Sequence, residues 1–288
     1  MITVFGATGN VGRQVVAQLA ERGIAARAVS RAPAAASAAE MPGIEFVKAD
    51  LGEPRALDRV VDGTERVFLV TAGDATRLEG NVLDAAVRAG VHHVVRMSGS
   101  FLVGPDASVG FDQAHYRAEQ ALERSGLAWT HLRPSYFMAN LLAQGISGTL
   151  ALPFGEARVN LVDTRDIAAV AVAALTGPGH EGQVYAVTGP QALTFTEVAA
   201  TLTAATGRTF TYRAVDREDF AQTLQRWGLP PATADDLAEE YDRIGRHHPA
   251  FEAVTDTVPR LTGRPGITLE RFARDHTREL VDPSGTSR

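Results

Sequence analysis

Short apolar runs alternate with longer amphipathic stretches through the first half of the chain. Residues 1–5, 25–29, 44–48, 67–70, 94–97 and 129–132 are apolar segments of strand length. Between them, residues 11–22, 54–61, 75–89 and 112–124 repeat apolar positions at helical spacing. Gly23, Gly63, Gly90 and Gly126 fall just past these helical patterns, where a left-handed C-capping residue is wanted. Strands alternating with helices predict a parallel sheet covered on both faces, because right-handed crossovers pack the helices there. The expected fold is α/β, a doubly wound parallel sheet of the Rossmann type.

The pattern loosens after Arg133-Pro134. Residues 137–142 and 163–175 read as helices and 184–187 as one more strand. Beyond Gly189 the segments 194–206, 216–227, 232–243 and 268–280 read as helices, and only 210–213 suggests a strand. Residues 1–188 are therefore expected to form the sheet domain, with 134–160 partly contributing to the substrate side. Residues 189–282 should form a smaller, mainly helical lobe over the C-terminal edge of the sheet, where open α/β sheets bind ligands. Residues 283–288 read as a polar tail, and the alanine-rich stretch 32–39 as a connecting loop with a short helix.

Gly6-Ala7-Thr8-Gly9-Asn10-Val11-Gly12 links the first strand to the first helix. Glycines in such a turn let the backbone approach a pyrophosphate, which then lies on the positive end of the helix. The first gap is one residue longer than in Gly-x-Gly-x-x-Gly, but the strand–turn–helix context points to dinucleotide binding. An acid ending the second strand would accept from ribose hydroxyls, whereas an arginine accommodates a 2′-phosphate. Here that strand runs into Ser30-Arg31, with no acid between Ala25 and Glu40, which predicts NADP(H) in preference to NAD(H). Arg13, just past the third glycine, can add positive charge. Asp50-Leu51, after the third strand, either meets the adenine or caps the helix at Pro54. Thr71-Ala72 would line the cofactor with backbone groups, and Ser98 either meets the nicotinamide side or turns the chain.

Composition narrows the chemistry. With 45% hydrophobic and 22% charged residues the chain is an ordinary globular protein. A net charge of −6 gives no reason to expect nucleic acid or an anionic membrane as partner. The absence of cysteine excludes disulfides, thiolate metal sites and cysteine nucleophiles. Lys48 is the only lysine, and it follows no glycine cluster, so a Walker A loop is excluded. No signal-like segment precedes the first strand and no apolar run reaches membrane-spanning length, so a cytoplasmic location is the expectation.

With these residues in place the chain resembles the NmrA-like branch of the atypical short-chain dehydrogenase/reductase family, among whose members bacterial NAD(P)H-dependent quinone and dye reductases look most similar. The N-terminal glycine loop, Arg31, His115-x3-Glu119, Leu132-Arg133-Pro134, Phe137-Met138, Asn140, residues 162–168 and Thr188-Gly189-Pro190 carry the resemblance. It implies a reductase whose cofactor is touched by Gly6, Thr8, Gly9, Asn10, Val11, Gly12, Arg31, Asp50, Leu51, Thr71, Ala72, Ser98, His115 and Pro134. It implies a substrate pocket that includes Phe111, Tyr136, Phe137 and Asn140, and a small planar aromatic or quinone as substrate. Self-association into a homodimer is left open.

The larger family uses Tyr-x3-Lys to protonate a carbonyl, and the matching positions here are Phe111 and His115. His115 is then the catalytic candidate, as a hydrogen-bond partner of the ribose or as a proton donor titrating in the useful range, with Ser98 beside it. A quinone suits such a site, because its reduced oxyanion is a stabilised phenolate and needs little acid. The competing readings are a nicotinamide-binding sensor of the NmrA kind that turns nothing over, and a reductase tailoring polyketide-like aromatics. Asp163, Arg165 and Asp166 read as structural, Asp163 as a helix cap. The pairs His92-His93 and His247-His248 point to different faces and lack metal-site spacing, so no metal is expected.

Overall fold

The computed structural model describes residues 1–32, 41–71, 75–99, 103–105, 110–246 and 249–282. In chain order the elements begin β1 (Ile2–Phe5), α1 (Gly12–Glu21), β2 (Ala26–Ser30), β3 (Ile44–Lys48), α2 (Pro54–Val60), β4 (Arg66–Leu69), α3 (Ala75–Arg88), β5 (His93–Met97), α4 (Gly110–Arg124) and β6 (Ala128–Pro134). There follow β7 (Tyr136–Phe137), α5 (Asn140–Gln144), β8 (Thr149–Leu152), β9 (Val159–Val162), α6 (Thr164–Thr176) and β10 (Gln183–Val187). The chain closes with β11 (Ala192–Leu193), α7 (Phe195–Thr206), β12 (Thr211–Ala214), α8 (Arg217–Arg226), α9 (Pro231–Gly245), α10 (Thr257–Thr262), α11 (Leu269–Asp275) and α12 (Thr277–Val281). The alanine-rich stretch 33–40 and the tail 283–288 lie outside the described residues.

The main sheet has seven strands in the order β10-β6-β5-β4-β1-β2-β3, every pair parallel. The strand order reverses between β1 and β4, and that switch point opens the crevice in which such sheets hold ligands. Parallel strands buried on both faces need apolar side chains on both, and β1 is buried along its whole length. One face packs Val15, Val16 and Leu19 of α1 against Ile167, Ala171 and Val172 of α6. The other packs Leu57 of α2, Val82 and Ala86 of α3 and Leu122 of α4. A third core unites Tyr136, Leu150, Phe154 and Leu161 with Phe195, Phe220, Tyr241 and Phe272.

That third core corrects three expectations. The helix expected at 137–142 starts only at Asn140, because Tyr136–Phe137 pairs with β9 as a strand. Strands β8 and β9 sit where the pattern gave nothing, and β8 pairs in parallel with β12 across the lobe. The helix expected over 268–280 is two helices, α11 and α12, meeting at His276. Elsewhere the capping logic holds: Asp163 accepts from the Arg165 backbone N–H at 2.8 Å, and Thr194 forms a capping box with Glu197. Asp166 is wholly buried and accepts from Arg264 and from the Ile267 backbone N–H, each at 2.6 Å. Asp163, Arg165 and Asp166 are thus tied into the framework.

Asn160, also wholly buried, fastens the lobe to the sheet. Its amide accepts from the Gly189 N–H at 2.8 Å and from Ser135 Oγ at 3.0 Å, and donates to the Gly189 carbonyl at 3.1 Å. At Gly189 the backbone runs so close that a Cβ would lie 1.8 Å from the Leu161 carbonyl oxygen. Asn160→Leu strands the Gly189 groups without partners, and the expected loss is about 2–4 kcal/mol of unfolding free energy by urea titration. A loss within about 0.5 kcal/mol would show that the backbone finds other partners.

Candidate cofactor and active site

β1 ends in a turn built on glycine. Gly6 has φ +72, and a Cβ on it would lie 2.5 Å from the Val70 carbonyl oxygen at the end of β4. Gly12 opens α1 under the same turn, where a Cβ would lie 2.1 Å from the Gly6 carbonyl oxygen. Gly9 is different. It is exposed, and a Cβ there would meet only the Gly6 carbonyl oxygen, at 3.3 Å. Gly6 and Gly12 therefore let the helix close on the strand, and Gly9 leaves the outer side of the turn bare, where a phosphate can approach.

A cavity of about 590 Å³ opens from this turn across the β1–β4 switch point. Its wall takes in Gly6, Thr8, Gly9, Asn10, Val11 and Gly12, then Arg31, Asp50, Leu51 and Thr71, and at the far end Met97 and Phe137. Ser30 contributes a buried hydroxyl with no hydrogen-bond partner, beside the exposed Arg31. A donor left orphaned next to an exposed guanidinium is what a phosphate group would satisfy. Asp50 accepts from the Gly52 N–H at 2.8 Å and so shapes the turn before α2 while still lining the cavity. Thr71 lines it too, and its hydroxyl donates to Glu79 at 2.8 Å. Ala72 lies outside the described residues.

Val29, Ala49, Arg77, Leu78 and Met97 border the cavity and escaped the sequence reading. Arg77, in the first turns of α3, adds a second guanidinium to the Arg31 side. Met97, the last residue of β5, borders the end opposite the phosphate turn. Arg13, by contrast, is exposed on α1 and does not border the cavity.

The expected substrate residues separate. Phe137 is on the cavity wall, but Tyr136 points the other way along the two-residue strand. Its ring lies edge-on to Phe154, Phe195 and Tyr241, at 5.6 Å from each, and its hydroxyl donates to Gln144 at 2.5 Å. Burial raises the pKa of this phenol, and it is a core residue of the lobe, not a proton donor to a ligand. Asn140 hydrogen-bonds the same phenol cluster. Pro134 is buried in β6 beside Val187, away from the cavity wall. Of Phe111 only the backbone, in α4, is described.

Ser98 is also buried; its N–H extends the β5–β6 pairing by donating to the Leu132 carbonyl at 2.8 Å, and its hydroxyl finds no hydrogen-bond partner among the described residues. It does not border the cavity. Glu119 is gripped by Arg133, whose Nε and Nη2 donate at 3.0 and 2.5 Å. His131 and Glu123 each bring a ligand atom within 4.8 Å of a Glu119 oxygen. Each Glu119 oxygen also accepts one of the Arg133 donors.

His115 stands on α4 against Gly99, whose Cβ would lie 2.9 Å from His115 Cδ2. Its Nδ1 lies 3.0 Å from Nη2 of Arg96. A guanidinium can only donate, so Nδ1 is the acceptor and the proton of the neutral ring sits on Nε2. Burial, reinforced by the Arg96 charge, lowers the His115 pKa to about 3. The expectation of a histidine titrating in the useful range is thereby overturned. The ring is neutral at physiological pH, and it does not border the cavity.

Comparison with known proteins agrees with this geometry. The model of the NmrA-like family matches residues 1–280. A NAD(P)H azoreductase of Xenophilus azovorans is 42% identical over 282 residues, covering 96% of this chain and 98% of the relative. A (4-alkanoyl-5-oxo-2,5-dihydrofuran-3-yl)methyl phosphate reductase of Streptomyces griseus is 39% identical over 280 residues, covering 96% and 98%. Among solved structures, an NADPH-dependent quinone oxidoreductase from Escherichia coli, complexed with NADPH, superposes with a TM-score of 0.83 at 30% identity, covering 96% of this chain and 99% of that one.

Proposed function

The chain belongs to the NmrA-like family, and from that membership we propose that it is an NADP(H)-dependent reductase passing a hydride to a quinone or a similar flat, electron-poor aromatic. The observation that carries the reading is the single cavity joining a bare glycine turn, the Ser30–Arg31 pair and an apolar end at Met97 and Phe137. Bound there, a reduced nicotinamide supplies the hydride. Thr8, Gly9 and Asn10 present the turn to the pyrophosphate, and Arg31 with Ser30 hold the 2′-phosphate. Phe137 and Met97 offer an apolar wall to a planar acceptor. His115 is the polar residue we assign to the acceptor side, and water supplies the proton that completes a hydroquinone. Residues 1–188 serve as the cofactor domain and the lobe beyond as the substrate side.

The relatives' names favour conjugated acceptors: an azo compound, an unsaturated lactone and a quinone all take a hydride into an electron-poor π system. Among the described residues no helix is long and apolar enough to cross a membrane. We place the enzyme in the cytoplasm, with the nicotinamide pool it would draw on.

NADPH should bind more tightly than NADH in a fluorescence-quenching titration. Arg31→Ala should cost NADPH roughly 1.5–3 kcal/mol, the worth of a charge-assisted phosphate contact, and leave NADH unchanged. Arg77 faces the same cavity, so some preference for NADPH should survive in the variant. Equal affinities in the wild type would overturn the assignment. Tight NADPH binding without oxidation of any quinone, azo or unsaturated-lactone acceptor would favour the sensor reading.

A further inference from the structure

β6 sets Trp129, His131 and Arg133 on one face of the strand, because alternate residues share a face. Against that face lies α4, where Glu119 and Glu123 stand four residues apart and project together. His131 is wholly buried, and neither of its ring nitrogens has a hydrogen-bond partner among the described residues. Two polar atoms orphaned in a core cost free energy that a bound water or ion would recover. The ring is aimed at the carboxylates. Its Nε2 lies 3.4 Å from Glu123 Oε1, and His131, Glu119 and Glu123 each bring one ligand atom within 4.8 Å of the others.

We propose that His131, Glu119 and Glu123 form a site for a first-row divalent metal ion of the zinc class, held between α4 and β6. None of the three residues borders the cofactor cavity, so the site is separate from it. Ligands about 2.0–2.2 Å from a tetrahedral ion stand roughly 3.3–3.6 Å apart. The His131–Glu123 spacing already fits, and the widest separation in the set exceeds that range by only about an ångström.

The surroundings hold these atoms in place. Gln120 donates to Glu123 Oε2 at 2.7 Å, which turns Oε1 toward the histidine. Trp129 stacks on the imidazole with ring centroids 4.6 Å apart and fixes its plane. Arg133 donates to both Glu119 oxygens, but a carboxylate has about four lone-pair sites and those two bonds use half of them. Two carboxylates against one guanidinium leave the pocket negative, and Arg96, whose charge also reaches His131, is paired with Glu79. The Glu123 side chain is 30% exposed, which gives an ion a way in and room for a water ligand. One imidazole with carboxylates and no thiolate suits Zn²⁺ or Co²⁺, whereas Mg²⁺ and Ca²⁺ favour all-oxygen sites. A bound ion would tie α4 to β6 one turn beyond His115.

The full chain, first stripped of metal with a chelator, tests this by titration with Zn²⁺ and Co²⁺. One equivalent of Zn²⁺ should bind by calorimetry, and the Tm should rise with its concentration. Trp129 reports the place. In Trp227→Phe, which leaves it as the only tryptophan, bound Co²⁺ should quench the fluorescence, and adding Glu123→Gln should remove the quenching. Glu123→Gln and His131→Phe should each weaken Zn²⁺ binding at least about tenfold, since loss of even an outer-shell partner costs that much. Should the buried His131→Phe fail to fold, the partly exposed Glu123→Gln decides alone. Zn²⁺ bound equally well by the wild type and a folded variant would be an adventitious ion only, and would overturn the proposal. No uptake of Zn²⁺ or Co²⁺ by the wild type, Co²⁺ binding that leaves Trp129 unquenched, or tighter binding of Mg²⁺ than of Zn²⁺ would each overturn it as well. Every readout stands apart from turnover, so the reductase reading can fail while the metal site holds.

Discussion

Gly12→Val is expected to lose the fold before it loses the ligand. A Cβ at Gly12 would sit 2.1 Å from the Gly6 carbonyl oxygen, and neither atom can move without lifting α1 from β1. Overpacking against a flexible side chain costs about 1–3 kcal/mol, and a backbone carbonyl yields less, so the destabilisation should reach at least about 3 kcal/mol. From sequence alone both Gly9→Val and Gly12→Val would be expected to abolish cofactor binding in a folded chain. The structure separates them. Gly9 has an ordinary backbone conformation and open space beyond one 3.3 Å contact, so Gly9→Val should fold with a Tm near that of the wild type. Its branched side chain would occupy the bare side of the turn, and NADPH affinity should fall at least about 100-fold, or about 2.7 kcal/mol. Circular dichroism and fluorescence titration on the two variants together decide it. A folded Gly9→Val that binds NADPH normally removes the turn from the phosphate site.

The difference between these two glycines marks the boundary of what a sequence can tell. A strand–glycine–helix motif declares itself because its logic is local, and β1 through β6 were legible for the same reason. Each is a short apolar run between helices that repeat at 3.6 residues. The lobe was harder. β7 has two residues and β9 four, too few for an alternation to establish a period, and which of Tyr136 and Phe137 faces the cavity depends on pairing with β9, some 25 residues away. Arg31 was legible because the second strand of this fold always ends near the adenosine ribose. Arg77 was not, since nothing in α3 distinguishes it from a solvated arginine until the helix is placed against the cavity. Arg96 was the least legible of all. Read along the chain it is one charge in Val94-Val95-Arg96-Met97, and its partners Glu79 and His115 lie on two different helices.

Those partners change what should be seen in turnover. NADPH oxidation should be measurable with benzoquinone- or naphthoquinone-type acceptors and slow or absent with simple ketones. No phenol occupies the usual donor position, Tyr136 is committed to the lobe core, and a neutral His115 ring is a far poorer proton donor to a ketone oxygen than an imidazolium or a phenol. A quinone needs little acid, because its reduced oxyanion is a stabilised phenolate, and a polar side chain on the acceptor side suffices. His115→Ala should therefore lower kcat/KM for a quinone about 10- to 1000-fold, with little effect on NADPH affinity. The pH dependence distinguishes a hydrogen-bond donor from an acid. An imidazolium acid would make the rate rise as pH falls through its pKa. With the pKa of His115 lowered to about 3, the ring has the same charge throughout pH 5–8, and kcat/KM should show no inflection near 6.5. A wild-type rate that climbs on acidification through pH 6.5, and a His115→Ala variant that has lost that climb, would restore the histidine as an acid. Vigorous ketone reduction that survives His115→Ala would direct attention to Tyr116, one residue further along α4, as the donor.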